Sequence, residues 1–158
     1  MKRIASLRPA TLDDLLAVAE VESRVHVAPW TEEHFRKELE KPYSQFFVMT
    51  DDETDSQVHG YIVFWMMMDE CHILNVSVDL PYRGQGLAKE MVRMAVNLTL
   101  KKGVRKIILE VRKGNLAAVH LYQGLGFTIA QIQKNFYSNG EDAYLMALYL
   151  DQGSVLQF

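Results

Sequence analysis

The sequence has one cysteine in 158 residues, four prolines, no apolar run longer than the eight residues 61–68, and no excess of positive charge, with 17 basic against 20 acidic side chains. A lone Cys71 closes no intramolecular disulfide, so neither a disulfide-stapled miniature fold nor a need for an oxidising compartment fits. Eight apolar residues fall far short of the roughly 20 that a membrane-spanning helix needs, so the chain reads as a soluble, cytoplasmic protein with no membrane partner. A net charge of −3 offers little to a phosphate backbone, so nucleic acid is not an expected partner. The five histidines show neither metal-ligand spacing nor a pattern of acidic partners, and no metal is assigned. No Pro/Gly/Ser-rich linker, repeat or low-complexity segment interrupts the chain. What is present is 49% apolar residues, enough for one domain with a true core.

Alternation about Ile4, Ser6 and Arg8 predicts a strand that stops at Pro9. Thr11 followed by Asp13 and Asp14 predicts a helix start. The Thr11 hydroxyl would cap it, the acids would sit at the positive end of its dipole, and Leu12, Leu15, Leu16, Ala19 and Val25 would form its apolar stripe. After a break at Ala28-Pro29-Trp30, Thr31 caps a second helix reaching about Glu40. Strands are predicted at 45–50, 58–68 and 72–79, with Met66, Met67 and Met68 as strand packing and Cys71 as a small strand residue. A helix from Leu87 bears Met91, Met94, Ala95, Leu98 and Leu100 and ends at Lys101-Lys102-Gly103. Then come a buried strand at 105–111, a helix from Asn115, a strand at 127–136, a hairpin turn at Ser138-Asn139-Gly140, and a last strand at 142–150. Hairpins mixed with helical crossovers give an α/β fold with a mixed sheet flanked by helices, one domain over 1–150 with a short tail at 151–158.

The most informative stretch runs strand, loop, helix: Asn75-Val76-Ser77-Val78-Asp79-Leu80-Pro81-Tyr82-Arg83-Gly84-Gln85-Gly86-Leu87-Ala88. Two glycines let the backbone turn tightly and present successive N–H groups at a helix N-terminus, where a phosphate or pyrophosphate is cradled. A tight structural turn explains the same two glycines equally well. The Walker A spacing and the G-x-G-x-x-G dinucleotide fingerprint are both absent. A second stretch runs Leu109-Glu110-Val111-Arg112-Lys113-Gly114-Asn115 and ends in Tyr122-Gln123-Gly124-Leu125-Gly126-Phe127.

Together these stretches resemble the GCN5-related N-acetyltransferase (GNAT) superfamily. Its acyl-CoA loop has Gln or Arg, two residues, Gly, one residue, then Gly or Ala, here Arg83 to Ala88. Within it the chain looks most like the RimI-type ribosomal-protein-alanine N-acetyltransferases, through Ala28-Pro29-Trp30-Thr31, the strand before the loop, Leu109-Glu110-Val111-Arg112, and Asn135-Phe136-Tyr137 followed by Gly140-Glu141-Asp142-Ala143. The resemblance implies a mostly antiparallel sheet of about seven strands with about four helices. It also implies acetyl-CoA as co-substrate and a protein N-terminus or peptide as acceptor, ribosomal protein S18 among the candidates, in a monomer or weak dimer.

The resemblance assigns acetyl-CoA binding to Val76, Ser77, Val78, Arg83, Gly84, Gln85, Gly86, Leu87, Ala88, Lys89, Asn115 and Tyr122. Val76 to Val78 would pair with the pantetheine arm through main-chain hydrogen bonds, and a backbone N–H near Val78 would face the oxyanion. Glu110 is implied as general base and Tyr122 as acid. An α-ammonium with pKa near 7.7–8.0 needs only modest help to lose its proton, and a phenol near 10 is protonated at neutral pH. Pro29, Trp30 and Tyr137 are implied as acceptor contacts. Each has a plainer reading: Glu110 as a strand-end charge paired with Arg112, Tyr122 and Trp30 as packing aromatics, Asn115 as a helix cap, Tyr137 as a hairpin aromatic. Two further functions stay open, acetylation of a lysine or small amine, and acyl-CoA binding without catalysis.

Overall fold

The computed structural model describes residues 5–51 and 57–150, so Arg3, Ile4 and the tail at 151–158 lie outside the described residues. Seven strands are ordered β1-β2-β3-β4-β5-β7-β6, with four α-helices between them. The pairings β1·β2, β2·β3, β5·β7 and β6·β7 are antiparallel and β4·β5 is parallel, the mixed sheet that the element order predicts. Two compact units emerge, one formed by the chain up to Trp65 with Asn75–Val92, the other by Met66–Leu74 with the chain from Arg93 onward.

In the first unit β1 (Ala5–Pro9) runs against β2 (Ser44–Asp51), and β3 (Val58–Met67) lies on the other side of β2. A 3-10 turn at Leu12–Asp14 precedes α1 (Leu15–Val25). Thr11 caps this turn in a capping box with Asp14, whose carboxylate accepts from the Thr11 N–H at 2.8 Å and from the Thr11 hydroxyl at 3.2 Å, while Arg8 donates to both its oxygens. Although burial raises the pKa of Asp14, those donors hold its carboxyl below the usual range. The expected stripe is out of phase. Leu15, Val18, Val21 and Glu22 are buried, whereas Leu12 is 67% and Leu16 60% exposed. The tighter 3-10 turn shifts the phase at which the α-helix begins. Helix α2 (Glu32–Glu40) starts as predicted, with the Thr31 side chain accepting from the His34 N–H. Phe35, Phe46 and Tyr61 form an aromatic centre, with ring centroids 5.5 and 5.6 Å from Phe35.

β4 (Glu70–Val78) and α3 (Leu87–Lys101) each contribute to both units. Gly60 on β3 has no room for a side chain, since a Cβ there would sit 2.6 Å from the Ser77 carbonyl oxygen. The second unit centres on β5 (Lys106–Arg112), whose Ile107, Leu109 and Val111 are buried. It continues through α4 (Leu116–Gly124), the exposed edge strand β6 (Thr128–Gln133) and β7 (Ala143–Tyr149). Burial pushes the Cys71 thiol up to about 11, which suits the plain strand role given to it. The methionine run does not pack as expected: β3 ends at Met67, and Met68 stands 98% exposed in the turn at φ +50°. In the last hairpin, Gly140 (φ +88°) and Asn135 (φ +54°) take the left-handed positions and Asn139 does not. The Asn139 side chain instead accepts from the Glu141 N–H at 3.0 Å.

Candidate active site

Along the first unit's part of β4, Asn75 and Ser77 turn inward while Val76 and Val78 remain half-buried. Asp79 ends the strand under tight restraint. Its carboxylate accepts from Arg24 Nε at 3.1 Å, from Arg24 Nη2 at 2.9 Å and from the Leu80 N–H at 2.9 Å, and its own N–H donates to the His59 carbonyl at 2.8 Å. The Arg24 guanidinium holds the Asp79 carboxyl below the usual carboxylate range. A 3-10 turn at Leu80–Tyr82 follows, with Tyr82 stacked on His59 at 3.8 Å.

The predicted glycine loop then follows. Arg83 is exposed, Gly84 and Gly86 take φ of +79° and +78°, and neither glycine has an atom within 4 Å of where a Cβ would lie. Backbone conformation, not lack of space, therefore demands glycine at both positions. The Gly86 carbonyl accepts from the Glu90 N–H at 3.1 Å, which opens α3, and helix geometry leaves the first-turn N–H groups without intrahelical acceptors. Leu87 is buried and anchors the helix, Ala88 is half-buried, and Gln85 and Lys89 lie exposed.

The second unit holds the expected proton-handling residues. The parallel ladder between β4 and β5 pairs Cys71, His72 and Ile73 with Ile107, Ile108 and Leu109. His72 thus lies on the face of Ile108, and of Glu110 two residues on, because side chains alternate along a strand. Its Nε2 lies 2.6 Å from Glu110 Oε2, and the Glu110 side chain retains 18% exposure. Pairing of Glu110 with Arg112 is corrected: Arg112 Nη1 donates to Glu141 Oε1 at 3.0 Å and to Asn139 Oδ1 at 3.4 Å, with its guanidinium 3.8 Å from the Tyr137 ring centroid. Two histidines, for which the sequence shows no pattern of acidic partners, find one: His72, and His26, which lies 3.4 Å from Glu22. The first pair is not visible in sequence, since His72 and Glu110 stand 38 residues apart, whereas Glu22 and His26 lie only four apart.

Tyr122 on α4 is buried and meets Phe127 edge-on at 5.7 Å. Burial first, and the neighbouring Tyr137 second, push its phenol up to about 12. Tyr137 is raised as well, by burial first and also by the charges of Glu110 and Glu141, against the lowering effect of Arg112. Asn115 caps α4, its side chain accepting from the Ala118 N–H at 3.2 Å. Glu110, Tyr122, Tyr137 and Asn115 therefore belong to one unit. Val76, Ser77, Val78, the loop from Arg83 to Lys89, Pro29 and Trp30 belong to the other.

Pro29 is exposed and Trp30 half-buried, its indole stacked on His34 at 4.0 Å and leaning on Phe35 at 5.2 Å. The Trp30 N–H donates to Glu22, a buried carboxylate that also accepts from Tyr61 and Asn75. Ser77 donates to Asn75 at 3.0 Å and lies 2.6 Å from His26 Nε2. The side chain of Ser77 thus serves this network, leaving only its main chain for a ligand. Chemically, the second unit offers a carboxylate–imidazole pair able to take a proton and a phenol that stays protonated. The first offers a helix N-terminus suited to phosphate.

A family model described as the acetyltransferase (GNAT) family matches residues 15–127. The putative bS18-alanine N-acetyltransferase of Bacillus subtilis (strain 168) is 38% identical over 154 residues, 96% of this chain and 100% of that protein. The bS18-alanine N-acetyltransferase of Escherichia coli (strain K12) is 33% identical over 151 residues, 94% of this chain and 97% of the other. The crystal structure of the ribosomal-protein-S18-alanine N-acetyltransferase from Escherichia coli superposes with a TM-score of 0.84 at 31% identity, covering 98% of this chain and 100% of that one.

Proposed function

The chain belongs to the acetyltransferase (GNAT) family, and from that premise we propose that it transfers an acetyl group from acetyl-CoA to the α-amino group of a protein N-terminus. Ribosomal protein bS18 starting with alanine is the acceptor that the relatives' names suggest. Residues 1–150 form the acetyltransferase domain, and the protein works in the cytoplasm, where ribosomal proteins are met. Among the described residues no helix is long and apolar enough to cross a membrane.

The observation that carries this reading is Glu110 on β5, partly exposed and within 2.6 Å of His72, in the same unit as the protonated Tyr122. Glu110 takes a proton from the acceptor ammonium, with His72 donating to its second oxygen and orienting it. The freed amine attacks the thioester carbon, and the carbonyl oxygen becomes an oxyanion facing the main-chain N–H near Val78. The C–S bond then breaks, the sulfur leaves as a thiolate, and the second proton on nitrogen passes to solvent, leaving the neutral amide. A phenol at about 12 stays protonated throughout. Full transfer to a thiolate whose own acid lies near 8.5 is disfavoured, so Tyr122 acts by the hydrogen bond it gives the departing sulfur. No acyl-enzyme forms.

By the family resemblance, Val76, Ser77 and Val78 would take the pantetheine arm and the loop from Arg83 through Lys89 the pyrophosphate, and Asn115 and Tyr122 are the residues assigned to the arm and sulfur. Pro29, Trp30 and Tyr137 contact the acceptor. Turnover followed by thiol release, against short peptides that differ in their first residue and in whether the α-amine is blocked, tests the assignment. Activity confined to free α-amines supports it. Activity that survives blocking moves it to lysine, and tight acetyl-CoA binding without turnover on any amine marks a binding module.

A further inference from the structure

The two oxygens of Glu22 serve different parts of the first unit. Oε1 accepts from the Tyr61 hydroxyl at 2.6 Å and from Asn75 Nδ2 at 2.9 Å, which ties α1 to strands β3 and β4. Oε2 accepts from the main-chain N–H of Trp30 at 3.0 Å. That N–H belongs to the exposed turn between the last α1 bond, His26 N–H to the Glu22 carbonyl, and the Thr31 cap of α2. Ring stacking on His34 and Phe35 places the indole, whereas the Glu22 carboxylate places the main chain. With 2% exposure and a donor at each oxygen, this carboxylate is occupied in holding structure.

We infer that Glu22 is a positioning residue: through Oε2 it fixes the main chain at Pro29 and Trp30 in the conformation that receives the acceptor peptide, and it takes no part in proton transfer. The inference rests on the proposed role of those two residues as acceptor contacts.

Glu22→Gln separates the two functions. The amide oxygen still accepts from Tyr61 and Asn75, but the amide nitrogen sets a donor against the Trp30 N–H. With the peptide accepted by the wild type, the KM for peptide rises about tenfold, the lower end of what loss of a charge-assisted hydrogen bond costs. Meanwhile kcat and the KM for acetyl-CoA stay within about twofold of wild type. Tyr61→Phe is the control. It removes the bond to Oε1 and leaves Oε2 with its Trp30 donor, so it lowers the melting temperature and leaves the peptide KM unchanged. If Glu22→Gln fails to fold by circular dichroism, Glu22→Asp, which keeps the charge but shortens its reach, is read by the same split. An unchanged peptide KM in a folded Glu22 variant overturns the inference, as does a loss in kcat or a parallel rise in both KM values. A wild type inactive on every peptide overturns the proposed function and this inference with it.

Discussion

Glu22 and Glu110 are two carboxylates in two units, and they differ in what remains open on each. Glu22 is sunk on a helix, with Tyr61, Asn75 and the Trp30 N–H donating to it. Glu110 sits near the end of a strand with 18% of its side chain exposed, and its hydrogen-bond partner is His72. A carboxylate whose acceptor sites are filled by fixed donors stabilises a geometry. One held from a single side can accept a proton from a visitor. The same contrast runs through the aromatics. Tyr61 spends its hydroxyl on Glu22, while Tyr122 is a buried phenol and Tyr137 a half-buried one, each raised chiefly by burial.

The sharpest way to break this comparison is Glu110→Gln, which should lower kcat by about 10²–10⁴ while leaving the acetyl-CoA Kd, measured by calorimetry, unchanged. Next in size, Tyr122→Phe should lower kcat by about tenfold to a hundredfold through the lost hydrogen bond to sulfur. Because this phenol is pushed up to about 12, it remains protonated as pH rises past its ordinary value near 10. The wild-type kcat should therefore show no alkaline fall owed to Tyr122 below about pH 11, and a limb near 10 that disappears in the Phe variant would contradict this. Smaller again is Arg112→Leu. It removes both the Glu141 bond and the cation over Tyr137, so the peptide KM should rise by about tenfold or less with little change in kcat.

Smallest is Asp79→Asn. The partner Arg24 is 46% exposed, so the lost stability should be about 1 kcal/mol by denaturant titration. The sign with pH is fixed. A carboxyl lowered by Arg24 contributes stability above the ordinary carboxylate pKa near 4, and loses it as pH falls through the lowered value. The variant should therefore unfold with less pH dependence below about pH 4.

The sequence carries the glycine loop, the Thr31 and Asn115 caps and the strand bearing Glu110 because each is written in contiguous residues with local chemistry. Gly84 and Gly86 announce left-handed backbone, and the apolar 107–109 centre announces a buried strand. What sequence leaves hidden is long-range. His72 joins Glu110 across 38 residues and Asn75 joins Glu22 across 53, and no local pattern encodes either pair. The first helix shows a different failure. Leu12 and Leu16 keep helical spacing with Ala19 yet face solvent, because the 3-10 turn at Leu12–Asp14 resets the phase and Val18 and Val21 take the core.

One measurement separates the two carboxylates most directly: kcat for Glu110→Gln and Glu22→Gln side by side, with acetyl-CoA and an alanine-starting peptide both saturating. Glu110→Gln should fall by about a hundredfold or more, and Glu22→Gln should keep a kcat within about twofold of wild type. A Glu110→Gln enzyme that turns over like the wild type, or a Glu22→Gln enzyme that loses as much kcat, would contradict this separation.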